Sequence, residues 1–374
     1  MKNLENICKI ASFGFYINCG SMLDDNLCGI SHFLEHIIFS TIKEEAFFRE
    51  TGTIINANTT RETMSFTCIC IEMYFNEVLR IFKEKILHLV IDKVLFEREV
   101  NVVLSEIRFN QYSKKNQLPY LLLKHSFGED FVKPICGFEE TVKSFTIEDV
   151  NSFYHNVFLK CRRVLSSSNV VDGNDLFLEV DVPFRTALYH YKQTDERTNK
   201  FECDSKIGQC QFCRAYTIPY ELTQKERIKY ELISILLGGG MGSDFYNEAR
   251  EMSYCLTCQT SMYSRMGILY FYSLIAVEDL GKVKDICSKI LLDRKELGIT
   301  EKEFTRIKNQ YRIKLGSILE NPTNYMDYQG RNYLVYGNSN VLREQRKILD
   351  SITIDDILDG ILSLANYSFF DLVF

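Results

Sequence analysis

The run His32-Phe33-Leu34-Glu35-His36 can put two imidazoles and a carboxylate on one face of a helix. Residues at i and i+4 stand one above the other, so His32 and His36 can reach a single metal ion. Glu35, at i+3 from the first histidine, lies on the same face and can polarise a water at that metal. The order His-x-x-Glu-His inverts the commoner His-Glu-x-x-His motif and is the inverzincin signature. Two histidines and a glutamate on a solvated helix face are the plainer alternative. The neighbours argue against it. Phe33, Leu34, Ile37, Ile38 and Phe39 make the other faces apolar, so the helix is expected to be buried, with a turn-like Asp24-Asp25-Asn26 and Gly29 before it. Three buried polar groups need partners, and a metal supplies them.

A catalytic zinc site takes three protein ligands and leaves a fourth position open. Glu99 and Glu106 are the candidates for the third. They are seven residues apart and share a face of one helix, while Val100, Val103, Leu104 and Ile107 form its apolar side. One carboxylate can complete the set and the other support it from behind. An exposed acidic stripe is the competing reading, since helices commonly carry charged faces.

The segments Phe15–Ser21, Gly29–Phe39, Asn56–Glu62 and Glu99–Glu106 together resemble the pitrilysin/insulinase family of inverted zinc metallopeptidases, most of all the mitochondrial processing peptidase beta subunit. The resemblance covers nearly the whole chain and is most specific in its first half. It implies that Glu106 is the third ligand and Glu99 a supporting residue. It also implies one Zn2+ per chain, Glu35 as general base, and substrate contacts at Phe39 and Asn56. Asn56 and its strand backbone would pair with an extended peptide. In the family a Gly-rich turn precedes an Arg and a Tyr near the substrate. Arg250 and Tyr254 resemble that pair but stand only four residues apart, so the intervening loop is shortened. The family's processing enzymes carry acids just beyond the third ligand to receive a substrate arginine. Here that stretch, Asn110–Gln117, has two lysines and no carboxylate.

At 374 residues the chain exceeds what one core supports, so two domains are expected. A net charge of −6 argues against nucleic acid as the main partner and suits a cationic peptide. Thirteen cysteines without a secretory signal point to a reducing compartment. The pairs Cys210/Cys213 and Cys255/Cys258 have a zinc-like spacing. Both fall in strand-like runs, where i and i+3 point to opposite faces, so small buried side chains are the expected reading. No run is long enough to span a membrane. The N-terminus lacks the Arg-rich, acid-poor character of a mitochondrial transit peptide.

The elements that must position the site alternate strand and helix. Strands are expected at Ala11–Asn18, Ile54–Asn58 and Thr63–Ile71, and helices near Asn76–Val90 and Val94–Gln111. A capping box, Thr146 with Asp149, starts a further helix, and Arg162–Val171 reads as a strand. The polar run Lys192–Lys200 is the natural linker. A second half repeats the plan with a strand at Gln209–Ile218 and a capped helix from Thr223/Glu226 that ends at Gly238-Gly239-Gly240. A helix near Asp244–Glu251 and capped starts at Thr300/Glu303 and Thr353/Asp356 follow. The triple glycine has no Lys-Ser/Thr after it and is expected to end a helix rather than cradle a phosphate.

The expected fold is α+β, with two duplicated α/β-sandwich domains of the processing-peptidase type: a zinc-binding domain over 1–190, a linker over 191–206 and a metal-free homologous domain over 207–374. The expected function is a zinc metalloendopeptidase that cleaves targeting presequences of proteins imported into a mitochondrion or a mitochondrion-derived organelle. The alternatives are a general peptide-degrading inverzincin and a non-catalytic core-type structural subunit. The expected partners are a peptide substrate and either a non-catalytic alpha-type sister subunit or a second copy of the chain. The expected location is the mitochondrial matrix or a derived organelle, with the cytoplasm as the alternative.

Overall fold

The computed structural model describes residues 9–111, 117–167, 200–201, 208–218, 222–253, 255–263, 266–337 and 341–373. The first stretch runs β1 (Ile10–Ile17), α1 (Ile30–Lys43), α2 (Ala46–Thr51), β2 (Ile54–Thr59), β3 (Met64–Ile71), α3 (Phe75–Leu87) and α4 (Lys93–Gln111). It continues with α5 (Gln117–Phe127), α6 (Glu139–Ser144), α7 (Ile147–Asn156) and β4 (Arg163–Ser167). The remainder runs β5 (Lys200–Phe201), β6 (Gln209–Ile218), α8 (Gln224–Gly238), α9 (Asp244–Ala249), β7 (Leu256–Met262), β8 (Gly267–Ala276) and α10 (Leu280–Leu297). After these come α11 (Glu301–Glu320), α12 (Pro322–Tyr336), α13 (Val341–Ser351), α14 (Ile354–Asn366) and β9 (Phe369–Val373).

Two compact units result, and they exchange segments. One comprises Met1–Gln117, Lys133–Tyr189 and Ser317–Val341; the other Leu118–Val132, His190–Gly316 and Leu342–Phe374. A single boundary at 191–206 therefore does not divide the chain as expected. Most of that span, 191–199 and 202–206, lies outside the described residues. The physical reason is packing. On β1, Phe13, Phe15 and Ile17 join the core beneath α1, while Tyr16 faces the other way and clusters with Val164, Tyr333 and Leu334. The apolar side of α12 thus covers the back of the first sheet, and β1 is buried on both faces.

In the first unit the strands lie in the order β2-β3-β1-β4, with every pairing antiparallel. The β2 edge is open among the described residues. In the second unit the order is β5-β9-β6-β8-β7, with β5 parallel to β9 and the other pairs antiparallel. The run β7-β8-β6-β9 repeats β2-β3-β1-β4, and α8 follows β6 as α1 follows β1. The duplication read from the sequence is therefore a duplication of topology. Capping boxes close the N-termini of α7, α8 and α14 at Thr146, Thr223 and Thr353. Thr300 and Glu303 bond reciprocally at the start of α11. Where α1 carries its histidines, α8 buries Ile228, Leu232, Ile233, Leu236 and Leu237. At its end Gly238 lets the helix approach β7: a Cβ there would stand 2.2 Å from the Cys258 amide nitrogen.

Candidate metal centre

Both histidines and Glu35 stand on α1, and the two acids stand on α4, which packs against it. The fit of these helices follows from their apolar stripes: Phe33, Leu34, Ile37 and Ile38 from α1 share one core with Leu95, Val103, Leu104 and Ile107 from α4. Packing that core leaves the polar stripes facing each other at its rim. One donor atom each from His32, His36 and Glu106 lies within 4.8 Å of the other two, and no other group of three or more His, Cys, Asp or Glu meets this test among the described residues. Glu106 Oε2 is 3.7 Å from His32 Nε2 and 3.4 Å from His36 Nε2. Donors around a tetrahedral zinc with bonds of 2.0–2.2 Å are roughly 3.3–3.6 Å apart, so Glu106 stands close to the spacing the ion requires from each histidine. The imidazole rings are 4.6 Å apart between centroids.

A supporting shell stands behind these atoms. Glu99, 4% exposed, places Oε2 3.4 Å from His36 Nδ1. Its Oε1 accepts from Ser40 Oγ at 2.7 Å and from Arg98 Nε at 3.1 Å. His36 thus has Glu106 on one ring nitrogen and Glu99 on the other, the arrangement that fixes the orientation of a metal-ligating histidine. His32 Nδ1 is buried without a hydrogen-bond partner. Glu35 accepts from Thr59 Oγ1 at 3.1 Å.

The electrostatics follow from burial and neighbours. Burial, opposed by His36 and Thr59, pushes the Glu35 carboxyl up to about 7. Burial and the adjacent His36 push His32 down to about 4. Burial alone would lower His36, but hydrogen bonds from its ring to Glu106 and Glu99 outweigh it and raise the group to about 9. Without a metal, then, the neutral His32 already presents a lone pair, whereas His36 must give up a proton before it can ligate.

The other expected site residues fall as follows. Phe39 is half-buried and packs against the first core. Asn56 is exposed on β2, opposite Thr67 of β3. Alternation turns Ile55, Ala57 and Thr59 toward α1 and Asn56 away from it, so backbone rather than the Asn56 side chain is what the open edge of β2 offers on the side of α1. Arg250 follows α9 in the second unit and is exposed. Tyr254 lies outside the described residues, as do 112–116 of the stretch Asn110–Gln117. Cys210, Cys213 and Cys258 are buried and Cys255 is exposed. Sequence reasoning missed Ser40, Thr59 and Arg98. Ser40 could have been found, one turn beyond His36 on the same face.

Two family models match the chain: "Insulinase (Peptidase family M16)" over residues 4–133 and "Peptidase M16 inactive domain" over residues 144–311. The chain belongs to peptidase family M16. The first model covers α1 and α4 with the cluster of His32, His36 and Glu106; the second covers most of the other unit, which among the described residues holds no such cluster. Among relatives, the chain is 27% identical to the "Uncharacterized zinc protease YmxG" of Bacillus subtilis, over 95% of this chain and 90% of that one. It is 24% identical to the "Probable mitochondrial-processing peptidase subunit alpha-1, mitochondrial" of Arabidopsis thaliana, over 93% and 74%. A Helicobacter pylori protease shares the fold at a TM-score of 0.80 and 17% identity, covering 97% of this chain and 94% of the other. No helix of the described residues is long and apolar enough to cross a membrane.

Proposed function

We propose that this M16 chain is a zinc-dependent metalloendopeptidase, with His32, His36 and Glu106 as ligands and Glu35 as the general base. The convergence of those three donors, with Glu35 on the same helix, carries the reading. When bound, zinc supplies Lewis acidity, polarising the scissile carbonyl and lowering the pKa of water at the site toward about 7. Glu35 accepts a proton from the attacking water as the new C–O bond forms. It then delivers that proton to the departing amide nitrogen as the C–N bond breaks, so the carboxylate is regenerated. Burial raises the Glu35 carboxyl above its ordinary range, which favours its taking up the proton. Thr59 Oγ1 holds one carboxylate oxygen and leaves the other free to move the proton. The open β2 edge aligns an extended segment by main-chain hydrogen bonds, while Phe39 lines the pocket beside the cut. Glu99 holds His36 in register.

Within that activity the reading is a processing peptidase of the beta type, acting on targeting presequences in a mitochondrion or derived organelle. An alpha-type sister subunit or a second copy would complete the chamber. Plant relatives named as alpha subunits of the mitochondrial processing peptidase support the processing-peptidase part of this reading, and the complete His32, His36, Glu106 and Glu35 set is what favours the beta type. General peptide degradation is the second reading, supported by bacterial relatives named only as zinc proteases. Purified chain is expected to hold one zinc, and His36→Ala to lose most of it on metal analysis. Full occupancy in His36→Ala would place the metal elsewhere.

A further inference from the structure

The helix that carries the two histidines begins without a capping side chain of its own. Its N-cap is Gly29, with φ at 96° in the left-handed region. A Cβ there would stand 2.7 Å from Gly137 Cα, so the position cannot take the Ser, Thr, Asp or Asn that usually closes a helix start. A residue five positions earlier performs that role. Asp24 Oδ2 accepts from the Gly29 amide at 2.8 Å and Oδ1 from the Ser31 amide at 3.1 Å. The side chain is 4% exposed. Its loop is closed on itself, since Leu27 N donates to Asp24 O at 2.8 Å and Ile30 N to Leu27 O at 2.9 Å. Side-chain oxygens so placed meet donors at the start of the helix that its own N-cap leaves open.

What this cap holds is specific. His32 is the third residue of α1, in the turn that frays first when its donors are unmet. His36 is a turn further on, pinned by Glu99 and Glu106. His32 has no such second partner, because its Nδ1 is bare.

We propose that Asp24 is the positioning residue for His32, setting the affinity and coordination geometry of the metal centre by capping the first turn of α1 in place of Gly29. The inference rests on the metal site proposed above. Asp24→Asn keeps the size but turns an amide donor toward one of two backbone N–H groups. Tyr154→Phe is the control. It removes a buried hydroxyl of the same unit that donates to Ile86 O and accepts from Leu89 N, neither of which is on α1 or α4. Zinc affinity is measured on the full chain by competition with a chelator, and the visible spectrum is recorded after loading with cobalt(II). Asp24→Asn should weaken zinc binding tenfold or more, the effect of losing an outer support of a metal ligand, and should shift the cobalt bands. Tyr154→Phe should lower the melting temperature while leaving affinity within twofold and the bands in place. If Asp24→Asn is recovered unfolded, Asp24→Ser, which can still accept from one N–H, is read in the same way. An Asp24 variant that binds zinc as tightly as Tyr154→Phe, with unchanged cobalt bands, overturns the inference. A wild-type chain that binds no zinc overturns the metal site itself and the inference with it, and is a distinct result.

Discussion

Glu99→Gln tests whether the support behind His36 is energetic or merely present. In the native site Glu99 Oε2 faces His36 Nδ1 at 3.4 Å, while Oε1 takes hydrogen bonds from Ser40 Oγ at 2.7 Å and Arg98 Nε at 3.1 Å. Burial would raise the Glu99 carboxyl, but bonds from His36, Ser40 and Arg98 hold it below the usual carboxylate range. It is therefore an anion in a nearly enclosed place, with every neighbour a donor. Glutamine has one oxygen. Two of the three donors, Ser40 and Arg98, converge on the same native oxygen, so the side chain keeps that oxygen on them and turns its NH2 toward His36. The Nδ1–H of a ligating His36 then meets a donor, and the ring loses both orientation and basicity. Losing such a partner costs 10–100-fold in metal affinity, about 1.4–2.7 kcal/mol. With two contacts kept, a loss of about 10–30-fold is expected. The assay is competition for zinc against a chromophoric chelator at pH 7.5, with the folded fraction checked by far-UV circular dichroism. A zinc affinity within twofold of wild type refutes the reasoning and reduces Glu99 to a packing residue.

Two further outcomes concern the second unit. Burial opposes ionisation of Glu303, but Arg294 and Thr300 outweigh it and hold its carboxyl down to about 2, with Arg294 Nη2 2.6 Å away. A depressed carboxyl stabilises the fold above its ordinary pKa near 4.5 and loses that contribution as pH falls toward about 2. The advantage of wild type over Glu303→Gln, at most about 3 kcal/mol before solvent screening, should therefore shrink between pH 5 and pH 3 in urea unfolding; a pH-independent difference would contradict this. Gly238→Ala drives a methyl against the Cys258 backbone and should cost about 1–3 kcal/mol of stability while leaving zinc content unchanged, because His32, His36 and Glu106 all lie in the first unit; a variant as stable as wild type in urea would show that α8 can move off β7.

Much of the candidate site was legible because its signals are local. The i, i+4 spacing of His32 and His36 and the i, i+7 spacing of Glu99 and Glu106 each lie within one helix, and an apolar stripe beside each pair forces the two stripes to face one another. Strand β6 begins and ends where its pattern predicts, at Gln209 and Ile218, and the threonine capping boxes are formed as read. What was not legible is long-range. Nothing in the periodicity of Pro322–Tyr336 says that α12 packs on Tyr16, three hundred residues earlier, and that contact is why the units are not consecutive in the chain. The buried Arg214–Asp371 pair, with Nε 2.7 Å from Oδ1, likewise joins β6 to β9 across 157 residues. By sequence Asp24 is only one member of an acidic turn. Its role depends on the left-handed Gly29 and on the approach of Gly137, neither of which spacing can reveal.

Glu35→Gln gives the most direct test of the central claim. It preserves shape and the bond from Thr59 Oγ1 but removes the group that accepts and returns the proton. Zinc content and single-site cleavage of a quenched fluorescent peptide should be measured on the same preparation of each chain, with any required partner present in both. The account predicts one zinc in wild type and variant alike, equal peptide binding, and turnover lower in the variant by about 100- to 10,000-fold. Zinc-loaded Glu35→Gln that cleaves at close to the wild-type rate would contradict it.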